Sequence, residues 1–177
     1  MNDQAYPAQQ LVTRTGLAFE MRAVRPEDEL LLADFFRQVT PEDLRFRFMT
    51  SVREVSHAQL AAMRDVDHQH TETFLAIAPG EGTPIAVGML AADSALERGE
   101  VALSIRPEFK AQGISWKMLE QMVSFAEAHG LATLESIESR ENVAAITLER
   151  EMGFVAEPVE DDPTEVILRL HLRQARD

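Results

Sequence analysis

The sequence predicts one domain of the α+β (mixed α/β) class, in which amphipathic helices cover a single sheet. Two observations lead to this prediction. Three short apolar or β-branched runs, at residues 74–78, 85–92 and 100–106, are separated by turn-forming residues, as in consecutive antiparallel strands. Helix-like and strand-like periods then alternate up to residue 172, and no internal repeat or long linker divides the 177-residue chain.

The start of the chain is predicted to be a flexible arm followed by a strand. Residues 1–16 are polar and aperiodic, so we expect the arm to end there and the folded domain to span residues 17–177. Apolar residues then alternate with polar ones over residues 17–24, which is typical of a half-buried strand.

Two helices are predicted between this strand and the next three. A proline and three acids suit a first helical turn, and apolar residues at helical spacing extend the helix over about 27–38. A second proline ends or restarts it, and residues 41–48 are expected to add one further turn. Ser56 and Gln59 form the pattern of a capping box, which predicts a short helix at 56–64.

The second half of the chain is predicted to hold two helices and two strands. A long amphipathic helix ends near Gly130, the expected residue after its last turn. A strand at 133–139, a helix at 142–152 and a strand at 166–172 follow. Residues 157–165 contain five acids and no base, so we expect a solvated, mobile loop there.

The charge balance narrows the class of partner. Thirty acidic residues against 17 basic ones leave a formal net charge of −13. This argues against a general nucleic-acid binder and against docking on anionic lipid, and mildly favours a cationic substrate such as an amine. The segment RFRF at residues 45–48 has the alternation of a nucleic-acid platform, but packed aromatics with solvated arginines are the better interpretation in so acidic a chain.

The absence of cysteine excludes disulfides, thiol catalysis and cysteine-based zinc sites.

No stretch approaches the ~20 apolar residues of a membrane span, and the first ten residues lack the basic and apolar regions of a secretion signal. We therefore expect a location in the cytoplasm.

The strongest local signal for a binding site lies at residues 106–116. A strand runs into a proline, a glycine-containing turn and an amphipathic helix, so free backbone N–H groups and the positive helix end meet there, as an anion requires. Gly113 would let the backbone approach a ligand closely, and Lys110 would add a positive charge. An ordinary strand-to-helix turn would explain the same residues, and both interpretations stay open on this pattern alone.

The same segment resembles the acyl-CoA signature of the GCN5-related N-acetyltransferase (GNAT) family, Arg/Gln-x-x-Gly-x-Gly/Ala at a helix N-terminus. Here the signature falls on Lys110, Gly113 and Ser115. The later asparagine and Gly-Phe of the family match Asn142 and residues 153–154. The resemblance implies the GNAT fold, a mostly antiparallel twisted sheet with a splayed parallel strand pair and about four flanking helices.

Within that family the chain is similar to the catalytic domain of bacterial Pat-type protein lysine acetyltransferases. The shared segments are YP at residues 6–7, RxxRPED at 22–28, RFRF at 45–48 and DH at 67–68, so that the resemblance covers about residues 6–172. It implies transfer of an acetyl group from acetyl-CoA to a protein lysine, by direct attack of the amine in a ternary complex.

The resemblance also implies where acetyl-CoA binds. The strand edge at residues 103–105 would pair with the pantetheine arm, and backbone N–H groups at 112–116 would hold the pyrophosphate. Asn142 would contact the cofactor arm, cap its helix, or both. The expected cofactor-binding residues are Leu103, Ser104, Ile105, Lys110, Gln112, Gly113, Ile114, Ser115, Trp116 and Asn142.

Glu100 is the general base that the resemblance implies. An amine is protonated near neutral pH and must lose a proton before it attacks, and a carboxylate can accept that proton. In the Pat-like pattern this carboxylate opens the strand before the CoA loop, which is the position of Glu100. An ordinary exposed glutamate on an edge strand is the alternative.

The segment DHQH at residues 67–70 contains residue types that bind metals. Two histidines at i and i+2 with one aspartate lack a convincing remaining set of ligands, so no metal is predicted. A turn before the next strand is the better interpretation, with Asp67 and His68 lining the acceptor cleft.

Two departures from the family pattern bear on activity. Many GNAT enzymes have a tyrosine, the acid for the leaving thiolate, where this chain has Glu149, and the only tyrosine here is Tyr6. Ser115 and Lys110 also replace the more usual residues of the CoA loop, and a lysine cannot bind phosphate through two parallel hydrogen bonds. Acetylation of a small amine, or a CoA-binding sensor with little turnover, are therefore the alternatives to acetylation of a protein lysine.

Overall fold

The computed structural model describes residues 5–172, so residues 1–4 of the predicted arm and 173–177 of the predicted domain lie outside the described residues. The strands are β1 (Gln9–Val12), β2 (Ala18–Ala23), β3 (Thr71–Ile77), β4 (Ala86–Ala92), β5 (Arg98–Ile105), β6 (Thr133–Ser139), β7 (Val155–Val159) and β8 (Asp162–His171). The helices are α1 (Glu29–Arg37), α2 (Pro41–Phe48), α3 (His57–Arg64), α4 (Ile114–Ala128) and α5 (Val143–Glu151). No helix in this range is long and apolar enough to cross a membrane, and the cytoplasmic location stays a prediction.

The strands form one sheet in the order β1-β2-β3-β4-β5-β6-β8-β7. Every neighbouring pair runs antiparallel except β5 and β6, which run parallel. The long connection through α4 makes that parallel pair possible, because parallel strands need a crossover. The predicted fold class and the single parallel pair are therefore confirmed.

The sheet has a core on each face. α4 and α5 cover one face, where Met118 and Met122 are fully buried against Phe74 of β3. α1, α2 and α3 cover the other, where Phe35 packs with Leu75. Since Phe74 and Leu75 are neighbours in β3, the alternation of a strand supplies both cores from one segment.

Residues 5–16 are folded onto the domain, in contrast to the flexible arm expected over residues 1–16. β1 pairs with β2 along its whole length. Tyr6 is buried, and its O–H donates to Gln121 at 3.1 Å. Only Leu11 of the four β1 residues is buried, so no apolar alternation marks this strand in the sequence.

Residues 157–165 form most of a β-hairpin, and the expectation of a loop there is wrong. β7 and β8 pair antiparallel around a turn at Glu160 and Asp161, with a bulge beside Pro158. Arg169 of β8 binds Glu157, the first residue of the acidic segment. The positive charge that the local sequence lacks thus comes from the partner strand.

A buried ion pair joins β2 to the start of α1. Arg22 donates to both oxygens of Asp28, at 2.6 and 3.0 Å, and the two side chains are 8% and 3% exposed. Asp28 also accepts the backbone N–H of Arg25 at 2.7 Å. Burial alone would raise the pKa of Asp28, but these hydrogen bonds outweigh it and lower that pKa. The ion pair therefore holds the connection between β2 and α1 in one conformation.

Replacing Asp28 with asparagine is expected to lower the free energy of unfolding by about 3 kcal/mol, because Arg22 would stay charged and buried without a counter-ion. Urea unfolding followed by circular dichroism measures the change. Glu27→Gln, at an exposed neighbouring position, is the matched control and should change stability by less than about 0.5 kcal/mol. Equal stabilities of the two variants would contradict a structural role for the buried pair.

Candidate active site

The sheet opens between β5 and β6. β5 pairs with β4 up to Ile105, whereas its pairing with β6 ends at Glu100 and Glu135. Both strands continue beyond that point, so they diverge. A cavity of about 470 Å³ lies in the gap and is lined by α2, α4, α5 and the loop before α4. The splayed strand pair expected from the sequence is therefore present.

The loop from β5 to α4 forms the open end of this cavity. Ala111 and Gly113 have positive φ angles of 58° and 83°, so the backbone turns sharply before the helix begins. Gly113 occupies the N-cap position without a side chain, and no acid lies in the first turn of α4. The N–H groups of that turn thus have no side-chain acceptor, which favours an anionic ligand such as a phosphate.

The turn between β1 and β2 supports this loop. Thr15 donates its hydroxyl hydrogen to the carbonyl oxygen of Gln112 at 2.8 Å. A β-carbon on Gly113 would lie 3.2 Å from the Cβ of Thr13. Glycine is therefore required at this position by packing as well as by its backbone conformation.

The strand edge inside the cavity carries an unsatisfied polar group. Ser104 is buried, and its hydroxyl has no hydrogen-bond partner among the residues the structure describes. It lies between Leu103 and Ile105, on the part of β5 that β6 leaves unpaired. A buried polar group requires a partner, and a free strand edge offers backbone donors and acceptors. These features fit an extended ligand that carries amide groups.

α2 is bound to both walls at the open end. Residues 41–48 form two helical turns, where the sequence predicted one. Asp43 pairs with Lys110 of the loop, and Arg45 pairs with Glu141, just before α5, at 2.5 Å. Lys110, the charge expected to meet a phosphate, is thus paired with a carboxylate in this structure.

Glu100 lies at the closed end, where the strands part, and its exposed side chain lines the cavity. Arg47 of α2 lines the same space, and its guanidinium is 3.8 Å from the sulfur of Met89. Burial lowers the pKa of Arg47, while the charges of Glu100 and Glu138 counteract that effect. Arg47 is half-buried, so the expectation of a solvated arginine at this position is wrong.

The α5 wall holds two carboxyl groups around one hydroxyl. The Oγ of Ser136 lies 2.7 and 2.8 Å from the two oxygens of Glu149 and 3.3 Å from one oxygen of Glu138. Asn142 donates its amide hydrogen to the other oxygen of Glu138 at 2.8 Å. Glu149 is only 6% exposed, and both glutamates line the cavity.

This environment keeps protons on the pair at unusually high pH. Burial raises the pKa of Glu149 to about 8, and the neighbouring charge of Glu138 adds to the rise. Burial also raises the pKa of Glu138, although hydrogen bonds from Asn142 and Ser136 act in the opposite direction. The two groups titrate as a pair that retains a proton at neutral pH.

Most of the predicted cofactor-binding residues line this one cavity. Gln112 does not, since its side-chain amide donates to the carbonyl oxygen of Glu108 at 2.9 Å. Trp116 is half-buried under the guanidinium of Arg14, which lies 4.4 Å from the ring centre. The predicted residues that line the cavity are Glu100, Leu103, Ser104, Ile105, Lys110, Gly113, Ile114, Ser115, Trp116 and Asn142.

Asp67 and His68 lie in the turn before β3 and are not among the residues that line the cavity. One carboxylate oxygen of Asp67 accepts three backbone N–H groups at 2.8 to 2.9 Å, which organises the turn. The Nδ1 atom of His68 lies 2.9 Å from the buried carboxylate of Glu72. Between residues 5 and 172, no group of three or more His, Asp or Glu side chains is placed to hold a metal ion. Acceptor binding by Asp67 and His68 stays a prediction.

The sequence pattern did not predict the group around Ser136, and the helix-capping role expected for Asn142 is not observed. Asn142 lies at the N-cap of α5, but it caps no N–H group of the helix and binds Glu138 instead. In β6 the buried Leu134 is followed by Ser136 and Glu138 at alternate positions, so two polar residues continue an inward-facing row. That interruption of an apolar row was the available signal.

The cleft has an anion-binding helix start at its open end, a free strand edge along one wall and carboxyl groups at its closed end. These features are suited to a transferase with an extended, phosphorylated donor. Comparison with known proteins identifies the family. The profile described as acetyltransferase (GNAT) domain matches residues 19–155. The chain therefore belongs to the GNAT acetyltransferase family, whose members take the acetyl group from acetyl-CoA.

Individual relatives agree with this assignment. "Acetyltransferase PA5475" of Pseudomonas aeruginosa is 29% identical over 154 residues, which are 86% of this chain and 83% of that protein. The GNAT domain of S. lividans PAT has the same fold, with a TM-score of 0.87 and 20% identity over 94% of this chain and 99% of that domain. The putative acetyltransferase yncA of Salmonella typhimurium, solved with acetyl-CoA, has a TM-score of 0.67 and 14% identity over 90% of this chain and 96% of its own.

The raised pKa of Glu149 predicts a specific effect of pH on stability. The folded protein keeps a proton on Glu149 up to about pH 8, whereas the carboxyl group of the unfolded chain loses its proton at lower pH. The stabilisation that this bound proton gives to the fold is therefore present at low pH and is lost as pH rises through about 8. Glutamine at position 149 cannot titrate. The free energy of unfolding of Glu149→Gln, relative to the wild type, should therefore increase between about pH 5 and pH 9. Urea unfolding at several pH values measures this difference, and a constant difference would contradict the buried proton.

Proposed function

We propose that this protein transfers the acetyl group of acetyl-CoA to the side-chain amine of a protein lysine, with Glu100 as general base. The parting of β5 and β6 at Glu100 carries the proposal, because it puts a carboxylate at the point where the donor cleft closes. An ordinary exposed strand glutamate is the alternative.

The residues of the cleft fit acetyl-CoA. The unpaired edge of β5 and the unsatisfied hydroxyl of Ser104 are suited to the amide groups of the pantetheine arm. The start of α4 after Gly113 is suited to the pyrophosphate, and Lys110 adds a charge there once it leaves Asp43. When bound, acetyl-CoA supplies the activated acetyl group, and the protein positions it.

Glu100 has the features of a base for an amine acceptor. Its side chain is exposed, so a proton that it accepts can pass to solvent. Arg47 stands close enough to interact electrostatically with it. An ionised carboxylate also attracts a lysine ammonium group before that group loses its proton.

Two observations support a protein lysine as acceptor. The segments shared with Pat-type acetyltransferases include α2 and the turn before β3, outside the CoA loop. The GNAT domain of S. lividans PAT also matches nearly the whole chain at a TM-score of 0.87. The net charge of −13 agrees with a cationic acceptor, although no residue of the acidic hairpin at 157–165 lines the cavity.

The acceptor is tested by measuring CoA release from acetyl-CoA with lysine-containing peptides, polyamines and amino sugars. We expect turnover with lysine peptides and acetyl-lysine in the product by mass spectrometry. Turnover restricted to small amines would replace the protein lysine by a small-molecule acceptor. Binding of acetyl-CoA without CoA release for any amine would indicate the sensor instead.

Glu100→Gln tests the base. The variant should lose about 10²-fold in kcat, because glutamine cannot accept a proton, while its affinity for acetyl-CoA stays within about twofold of the wild type. Steady-state kinetics and calorimetry measure the two quantities. Glu97→Gln, an exposed glutamate just before β5, is the matched control and should keep wild-type kinetics. A Glu100→Gln variant with the wild-type rate would remove Glu100 from the mechanism.

A further inference from the structure

The carboxyl pair on the α5 wall holds one proton by its geometry. A serine hydroxyl has one hydrogen, yet the Oγ of Ser136 lies within 3.3 Å of three carboxylate oxygens. Two ionised carboxylates would leave some of these oxygen–oxygen contacts without a hydrogen. With one proton on Glu149, two hydrogens serve the three contacts: one oxygen of Glu149 donates to Ser136, and Ser136 donates to Glu138.

Glu149 is the member of the pair that keeps this proton. Glu138 receives the amide hydrogen of Asn142 and interacts with the positive charge of Arg47, and both favour its ionised form. Glu149 is more deeply buried, and the structure shows no ion pair to it within residues 5–172. Burial and the charge of Glu138 therefore favour the neutral acid at position 149.

Glu149 is also held at the level where the cleft closes. Ser136 follows Glu135, the last β6 residue that pairs with β5, and that pairing is with Glu100. The alternation of the strands directs Ser136 to the face of the sheet covered by α4 and α5, whereas Glu100 faces α2. A carboxylate and a carboxylic acid thus flank the closed end of one cavity from opposite faces.

Among the described residues, the charged group outside this pair that interacts with it is Arg47 of α2, which favours the ionised form of Glu138. Arg47 also interacts with Glu100, which lines the same cavity. Glu149 is therefore left as the neutral carboxyl of the pair.

We propose that Glu149 is the general acid of the acetyl transfer and that it protonates the departing thiolate with the proton held through Ser136 and Glu138. The proposal rests on the function proposed above. Glu100 first takes the ammonium proton of the acceptor and passes it to solvent, and it then accepts one hydrogen of the neutral amine as the nitrogen–carbon bond forms at the thioester carbonyl. The carbon–sulfur bond breaks with its electron pair on sulfur, and Glu149 delivers its proton there, which yields the amide and the free thiol. Exchange with solvent removes the proton from Glu100 and restores the one on Glu149.

Glu149→Gln keeps the size of the side chain and removes the acid. We expect kcat to fall about 10²-fold at pH 7 while KM for acetyl-CoA stays nearly unchanged. The ratio of wild-type to variant kcat should decrease as pH rises above about 8, since the wild type then loses its acid as well. A merely structural role would lower kcat by the same factor at every pH. Glu151→Gln, an exposed glutamate at the end of the same helix, is the control and should match the wild type.

A second measurement does not depend on turnover. An infrared pH titration of the protein alone should show a neutral carboxyl band at pH 7 that disappears near pH 8 and is missing in Glu149→Gln. In Glu138→Gln the band should disappear at lower pH, because the repulsion that favours the proton on Glu149 is gone. This variant also tests the proposal if Glu149→Gln does not fold.

The outcomes separate this proposal from the function on which it rests. Wild-type turnover with a pH-independent loss in Glu149→Gln, or with no neutral carboxyl band, would overturn the general acid and leave the acetyltransferase intact. Absence of turnover with every amine would overturn the proposed function, and the general acid with it. A pH-dependent loss together with the band would support both.

Discussion

The parting of β5 from β6 is the constraint on which the rest of the site depends. Each strand is held by its outer neighbour, β5 by β4 through Ile105 and β6 by β8 through Ser139, so neither can close the gap. At the paired end the strands are close, since a β-carbon on Gly99 would lie 3.3 Å from a methyl carbon of Leu134 in β6. One transition from tight pairing to divergence therefore creates the free strand edge, the cavity and the position of Glu100 at its closed end.

The divergence also gives the cavity two chemically different walls. The wall on the α2 face carries Glu100, whose carboxylate is suited to receive an amine and take its proton, together with Arg47. The wall on the α5 face carries buried carboxyls that retain a proton at neutral pH. Proton acceptance and proton donation are thus assigned to opposite faces of one sheet. The proposed roles of the two glutamates follow this difference, since Glu100 is exposed and Glu149 is buried.

The sequence predicted what depends on local patterns. The strands at the centre of the sheet, the capping box at Ser56 and the loop at Gly113 have periods or spacings that can be read in one segment. It did not predict β1, β7 or the first residues of β8, because only Leu11 is buried in β1 and the base that pairs with Glu157 lies on the opposite strand, at Arg169. The carboxyl group of Glu149 was likewise noticed as a substitution, but its protonated state depends on burial and on Ser136, which only the fold brings together.

Calorimetric titration with acetyl-CoA, comparing the wild type with two glycine variants, tests most directly whether the cleft between β5 and β6 is the donor site. Gly113 and Gly130 lie at opposite ends of α4 with positive φ angles of 83° and 78°, so alanine strains the backbone at both positions, and at Gly113 it also approaches the Cβ of Thr13. The account predicts one site per chain in the wild type and in Gly130→Ala, and binding at least about tenfold weaker in Gly113→Ala. Equal affinities in the two variants, or no binding by the wild type, would contradict it.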